Sequence, residues 1–345
     1  MQIYIDTYGT YIHVKDGVFE FNIPKDDKII KRSIAPNKIS SIILSSGTTL
    51  THSVVELAMI NNIDIIFLES DGTPISRIWH SKLGSTTKIR KAQLVASMNH
   101  KAIEYVKKWL TIKLQNQIDF IKDLKKHRKE KTEYLDDRIF LIENNKKLVE
   151  EIEGKTIEDI SGSLRGYEGV SGRLFFEVLS NVLIDEYKFN GRSTRPAQDQ
   201  FNAFLNYAYG VLYSKVEKAL IIAGIDPYLG FLHRDDYNTM SMVFDFIEPY
   251  RIFAEEVVFR LFSGKRVNKS HTDKIVNGYS LNKEGKNLLM QSFVDFFDEV
   301  KIRYKNKNQT RSNIIQYDAH TFANELINKT FKDEDIEKYD LLGDL

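Results

Sequence analysis

The chain contains no proline between Pro74 and Pro196. Proline removes a helical N–H and clashes with the preceding turn, so a long proline-free stretch with apolar residues at helical spacing reads as helix. Leu94, Val95, Met98, Ala102, Val106 and Leu110 have that spacing. It recurs beyond Pro196 in Phe201, Leu205, Ala208, Leu212, Val216 and Ala219, with Gly224 placed as a C-cap. It recurs again in Tyr250, Phe253, Ala254, Val257, Val258, Leu261 and Phe262.

Residues 1–80 have a different texture. Ile3 and Ile5 lead into a turn at 7–9, then strand candidates at 11–14 and 18–23 flank Asp16-Gly17. Asp-Gly between alternating apolar residues is a strong hairpin signal. Further strands are expected at 39–44, 63–68 and 73–78, the last two joined at Asp71-Gly72. Ser53-Val-Val-Glu56 has the form of a capping box for a short helix through Ile60. The periodicity breaks at Gly84-Ser85-Thr86-Thr87. The expected fold is α+β: a small β-rich domain at 1–84, a large all-α domain at 85–328, and an acidic tail at 329–345 whose composition is open to disorder.

Of the residues, 42% are hydrophobic and 28% charged, enough apolar surface for a sizeable core. No apolar run reaches the about 18 residues of a membrane span, and the N-terminus does not read as a secretory leader. With no cysteine, thiolate zinc sites and disulfides are excluded, which fits a reducing, cytoplasmic setting. Any metal site must use His, Asp and Glu, a donor set that favours Mg²⁺ or Mn²⁺. The net charge of +1 hides a strong segregation. Residues 77–132 carry 15 Lys/Arg against 4 Asp/Glu, and residues 263–311 carry 11 against 5. Such stretches are either solvated helix faces or surfaces for phosphates.

Three segments are unlike packing sequence. In Arg165-Gly-Tyr-Glu168-Gly-Val-Ser-Gly172, three glycines surround a glutamate. Each weakens a helix by about 1 kcal/mol relative to alanine, which suggests either close approach of a ligand or a tight helix crossing. Gly224-Ile-Asp-Pro-Tyr-Leu-Gly230-Phe-Leu-His233 reads as an inter-helical loop ending on a histidine that is either a ligand or a satisfied core residue. In Ser241-Met-Val-Phe-Asp245-Phe-Ile-Glu248-Pro-Tyr-Arg251, two carboxylates three apart would share a helix face among apolar neighbours. Burying such a pair is costly without a cation, although an acidic helix N-cap would also account for Glu248. One histidine and two or three carboxylates make an oxygen-rich set suited to Mg²⁺ or Mn²⁺ in phosphodiester chemistry. No Walker loop, G-x-G-x-x-G or acyl-transfer serine elbow is present.

In these segments the chain resembles the CRISPR-associated spacer-acquisition integrase and endonuclease family. Gly166-Tyr-Glu168-Gly169 resembles the family's glycine-flanked glutamate. Arg192-Ser-Thr-Arg195-Pro196-Ala-Gln-Asp199 running into Asn202-Ala-Phe-Leu205 resembles its Arg-Pro-Asp loop and following helix. The segments ending at His233 and spanning Asp245 to Arg251 resemble its Leu-His and Asp-x-x-Glu-Pro-aromatic-Arg motifs. Alanine at 197 and Phe175 depart from the pattern, where a second proline and a tyrosine are common; the latter would remove a hydroxyl contact to DNA.

The resemblance implies a dimerising N-terminal domain and a helical catalytic domain. It implies Glu168, His233 and Glu248 as ligands of Mg²⁺ or Mn²⁺, with Asp245 a supporting acid of the catalytic set. The implied reaction is attack by a 3′-hydroxyl of a short DNA fragment on a phosphodiester of a CRISPR array, with DNA cleavage as its hydrolytic counterpart. The implied partners are double-stranded DNA, a second copy of the chain and a small companion adaptation protein. Arg77, Lys88, Arg90, Lys91, Arg173, Arg192, Arg195 and Arg251 are the expected DNA contacts. The alternatives are a dimeric DNA-binding scaffold without chemistry and a metal-dependent hydrolase of small phosphates.

Overall fold

The computed structural model describes residues 2–26, 28–39, 41–45, 47–61, 63–69, 74–78, 86–233 and 239–330. The expected Asp71-Gly72 turn, the break at 84–85 and tail residues 331–345 lie outside them. In chain order the strands are β1 (Gln2–Ile5), β2 (Tyr11–Lys15), β3 (Val18–Lys25), β4 (Lys28–Ile34), β5 (Ser41–Leu44), β6 (Thr49–Leu50), β7 (Asp64–Leu68), β8 (Pro74–Ile78), β9 (Thr272–Ile275), β10 (Gly278–Leu281), β11 (Lys301–Tyr304) and β12 (Lys307–Thr310). The helices are α1 (His52–Ile60), α2 (Thr86–Ser97), α3 (His100–Lys126), α4 (Thr132–Glu151), α5 (Ile157–Val182), α6 (Gln200–Ala223), α7 (Ser241–Phe246), α8 (Arg251–Ser263), α9 (Lys283–Val294) and α10 (Arg311–Thr330).

The chain folds as two compact units. One comprises Met1–Lys82, Ser193–Ser214 and Arg260–Ile302; the other comprises Leu83–Arg192, Lys215–Phe259 and Arg303–Leu345. In the first, two four-stranded sheets run β1-β5-β7-β8 and β4-β3-β2-β6. β1, β5 and β7 are parallel, and β8 returns antiparallel. All four residues of β5 are buried, which explains its unbroken apolar run Ile42-Ile43-Leu44. β2, β3 and β4 form an antiparallel meander that turns at Asp16 and Gly17, both with positive φ. Ile12, Phe19 and Phe21 from one sheet meet Ile42, Leu44 and Ile65 from the other, with Val54 and Ala58 of α1.

Three details differ from the expectations. β4 was not expected, because every residue from Lys28 to Ser33 is exposed and no alternation marks it. The box at Ser53 does not cap α1; Thr51 holds the N-cap position, two residues earlier. The region from 85 to 328 is not all-α, since it contains the β9–β10 and β11–β12 hairpins. Asn277 and Lys305-Asn306 supply the left-handed backbone of their short turns, at φ 62° for Asn277 and 45° and 66° for Lys305 and Asn306.

In the second unit α3 packs along α4 and α5, and α2 packs along α10. The long apolar stripe from Leu94 to Leu110 divides at Asn99, whose side chain accepts from the Lys101 N–H and starts α3. Gly224, at φ 83°, ends α6 as expected. Tyr105 and Trp109 of α3 form an aromatic cluster with Phe231, Phe246 and Phe322, which fixes the loop after α6 against α3. Among the described residues, no helix is long and apolar enough to cross a membrane.

Candidate active site

Glu168 stands mid-helix on α5, which begins with a capping box between Thr156 and Asp159. Among the described residues, the surrounding glycines do not form a helix crossing: a Cβ added at Gly162, Gly166, Gly169 or Gly172 would meet nothing within 4 Å. Their spacing puts them on one side of α5, so beside Glu168 lies an open helix surface with little side-chain bulk.

Asp245 and Glu248, three residues apart, have separate fates. α7 ends at Phe246, and Glu248 opens a 3-10 turn with Pro249 in its first positions. Asp245 therefore turns to the loop before it. One carboxylate oxygen accepts the N–H groups of Phe231 and Leu232 at 2.5 and 2.9 Å; the other accepts the His233 N–H at 3.1 Å and lies 2.6 Å from His233 Nδ1. Its side chain is 1% exposed. Asp245 thus shapes the loop and holds the imidazole, leaving Nε2 as the outward nitrogen. Burial alone would lower the His233 pKa, but the hydrogen bond and charge of Asp245, with the charges of Glu248 and Glu168, outweigh it and raise the value.

The loop is fixed from other directions. Buried Gln93 of α2 donates to the carbonyls of Asp226 and Leu229 and accepts the Asp226 N–H. Arg165 of α5 donates to the Leu232 carbonyl at 3.0 Å. Gly230 passes so close to α7 that a Cβ would stand 2.5 Å from both the His233 carbonyl oxygen and the Ser241 Cβ.

Glu248 turns the other way. Its side chain is 2% exposed, with Oε1 2.8 Å from Arg251 Nε and Oε2 2.5 Å from Lys113 Nζ. The same ammonium is 2.6 Å from Glu168 Oε1. Two carboxylates from distant parts of the chain thus converge on one cation. Burial opposes the charged form of Glu248, but Arg251 and Lys113 hold its carboxyl down at about 2. Lys113 is likewise opposed by burial, and the charges of Glu248 and Glu168 outweigh that to raise its pKa. Asn116, one turn along α3, donates to the Pro249 carbonyl at 2.8 Å and anchors the 3-10 turn.

Among the described residues, no three His, Asp or Glu side chains stand close enough together to hold a metal ion. The oxygen donors of Glu168 and Glu248 nonetheless meet at a point already selected for positive charge. Their chemistry fits a hard divalent cation.

Lys113, Gln93, Asn116 and Arg165 were missed in the sequence. Lys113 and Gln117 both fall on the buried side of α3 beside Leu110 and Leu114, and a lysine at such a position was the available signal. Two of the expected DNA contacts are engaged within the chain. The Arg77 side chain is 6% exposed, donates to the Ser214 carbonyl and hydroxyl at 2.6 and 3.0 Å, and faces Asp64 at 3.5 Å. It sits inside the β-rich unit because the antiparallel return of β8 turns it onto buried Asp64. Arg251, 17% exposed, neutralises Glu248. Lys88, Arg90, Lys91, Arg173 and Arg195 are exposed, and Arg192 is half-buried. Phe175 is fully buried against Phe120 and Phe176, so a hydroxyl there would face the core rather than DNA.

The fold and this pairing of acidic helix and histidine loop define a chain of the CRISPR-associated type. The family model described as CRISPR associated protein Cas1 matches residues 3–295, and the chain belongs to that family. A CRISPR-associated endonuclease Cas1 of Archaeoglobus fulgidus is 27% identical over 328 residues, covering 91% of this chain and 93% of that protein. Among solved structures, a casposase bound to integration product superposes with a TM-score of 0.81 at 19% identity, covering 99% of each chain. A Cas6-RT-Cas1–Cas2 complex superposes with a TM-score of 0.76 at 19% identity, over 96% of this chain and 35% of that one.

Proposed function

We propose that this protein is a metal-dependent DNA endonuclease and integrase of CRISPR adaptation, inserting short DNA fragments into a CRISPR array. The observation that carries the reading is the convergence of Glu168 and Glu248 on one cation position, with His233 oriented by Asp245 and an open glycine surface alongside. The name of the Archaeoglobus relative, an endonuclease, and the integration product held by the casposase support it.

In this reading Glu168, His233 through Nε2, and Glu248 hold Mg²⁺ or Mn²⁺. A bound divalent ion polarises the phosphodiester and neutralises the charge that grows on it. Asp245 keeps His233 in one tautomer and ring orientation, as carboxylates behind metal-binding histidines commonly do. Arg251 offsets the second negative charge of the site. The glycine face of α5 admits a sugar-phosphate strand close to Glu168. The 3′-hydroxyl of the incoming fragment attacks phosphorus, a new P–O bond forms, and the bond to the 3′-oxygen of the array strand breaks. With water in place of the hydroxyl, the same displacement is strand cleavage.

Lys88, Arg90, Lys91, Arg173, Arg192 and Arg195 are the proposed contacts to double-stranded DNA. Neutralising Lys88, Arg90 and Lys91 together should reduce the salt dependence of binding. Residues 1–84 are the proposed dimerisation domain. The Cas1–Cas2 complex supports a small companion adaptation protein as the further partner.

The test is strand transfer and cleavage on a CRISPR-repeat duplex with Mn²⁺ or Mg²⁺. Glu168→Ala, His233→Ala and Glu248→Ala should each abolish both reactions while circular dichroism keeps the native helix signal. Full activity in any of them would remove that residue from the ligand set. The competing reading is a DNA-binding scaffold without chemistry. It predicts a wild type that binds DNA but neither cuts nor joins it with either ion.

A further inference from the structure

Lys113 has no place in the reaction as just described, yet it occupies the centre of the site. Its side chain is 8% exposed, and its ammonium lies 2.6 Å from Glu168 Oε1 and 2.5 Å from Glu248 Oε2. Both oxygens of Glu248 are engaged, one by Lys113 and the other by Arg251. A divalent ion bonding both carboxylates would sit about 2.0–2.2 Å from their oxygens. It would need the space and the lone pairs that the ammonium now uses. An ion bridging Glu168 Oε1 and Glu248 Oε2 would stand where the ammonium now stands.

We propose that Lys113 is a built-in competitor of the metal: it holds Glu168 and Glu248 together when no ion is bound, and metal binding displaces it. The inference rests on the proposed assignment of Glu168 and Glu248 as ligands. Charge favours such an exchange. Glu168 and Glu248 supply two negative charges, and Lys113 and Arg251 supply two positive ones, so the cluster is balanced without metal. Removing the lysine would leave a net negative site around a buried carboxylate, which is costly until another cation arrives. A lysine suits this role better than an arginine. Its ammonium is a compact charge on a flexible stem and can swing away, whereas a guanidinium would lock the carboxylates in a planar fork. The lysine is carried by α3, which packs against the Glu168 helix.

The experiment measures Mn²⁺ binding to the full chain, stripped with chelator, through the electron paramagnetic resonance signal of free Mn²⁺. The site counted is the one lost in Glu168→Gln. Lys113→Met should bind Mn²⁺ at least tenfold more tightly than the wild type. Its melting temperature without metal should fall, and Mn²⁺ should raise it by more than it raises that of the wild type. Binding by Lys113→Met alone would also support the exchange. Equal or weaker Mn²⁺ affinity in Lys113→Met would overturn it while leaving the proposed function standing. No Mn²⁺ bound by either protein would overturn the proposed function, and the inference with it. Acetylation of the wild type, followed by peptide mass spectrometry, covers the case in which the variant does not fold. Lys113 should be modified several-fold faster with Mn²⁺ present; an unchanged or slower rate would count against displacement.

Discussion

Asp245 and Glu248 are neighbours in sequence and opposites in the structure. Asp245 spends its oxygens on three backbone N–H groups and the ring of His233, all within one loop. Glu248 spends its own on two side-chain cations, one brought from α3. The difference is one of exchangeability. Backbone donors cannot leave without unfolding the loop, whereas an ammonium on a flexible stem can give way to another cation. A carboxylate of the first kind positions a functional group, and one of the second kind is free to become a ligand.

The sharpest way to break this contrast is to remove Asp245. Asp245→Ala leaves three N–H donors at Phe231, Leu232 and His233 without their acceptor in a buried loop. Each such donor costs about 1–3 kcal/mol, so the total is expected at about 3–5 kcal/mol, measured as the shift in urea unfolding. A loss below about 1 kcal/mol would mean that the loop does not depend on Asp245 and that the two carboxylates are closer in kind than their contacts indicate.

Glu248 is better separated by pH. Its carboxyl is held at about 2, below its ordinary 4.5. A depressed acid stabilises the folded state above its unfolded pKa and loses that contribution as pH falls towards the folded one. The wild type should therefore lose on the order of 3 kcal/mol from this group between about pH 4.5 and 2. Glu248→Gln should be less stable at neutral pH, because Lys113 loses a partner, and should have a shallower acid limb in urea titrations. Parallel acid limbs in the two proteins would show that Lys113 and Arg251 do not stabilise the ionised form.

Much of the frame was legible in the sequence, and the reasons vary by element. Apolar period fixed the helical texture, and Asp16-Gly17 marked the β2–β3 turn. β4 was silent because a strand with no buried face leaves no alternation. The β9–β10 hairpin was signalled by Asn277-Gly278 but sat inside a stretch read as helical. At the site, the pairing of a loop histidine with an acidic helix could be suspected, but its geometry could not. Helix periodicity predicted a shared face for Asp245 and Glu248; the end of α7 at Phe246 and the 3-10 turn at Pro249 separated them. Lys113 lay among many basic residues of its stretch; its place on the apolar side of α3 set it apart, but only the fold of α3 against α5 showed which carboxylates it meets. The inward turn of Arg77 was equally hidden, because charge alone does not reveal that a strand turns an arginine onto Asp64.

The smallest expected effect concerns the glycine face of α5, and its sign is what makes it useful. If Gly166 and Gly169 were there for helix packing, alanine would collide with a neighbour and destabilise the protein. Among the described residues, nothing stands within 4 Å of the added Cβ at either position. Gly166→Ala and Gly169→Ala should therefore each stabilise the chain by about 1 kcal/mol, the ordinary gain of alanine over glycine inside a helix, read as a rise in melting temperature. A glycine row that costs stability and leaves the space of its missing Cβ atoms open among the described residues is explained by what must come near it. In the proposed function that is a DNA strand passing Glu168. Gly169→Leu should then keep the stability of the alanine variant and lower strand transfer at least tenfold. If Gly169→Ala instead destabilises the protein, the face is covered in solution, and its openness belongs to the isolated chain. If Gly169→Leu transfers strands at the wild-type rate, the substrate does not use this side of α5, and Glu168 is approached from elsewhere.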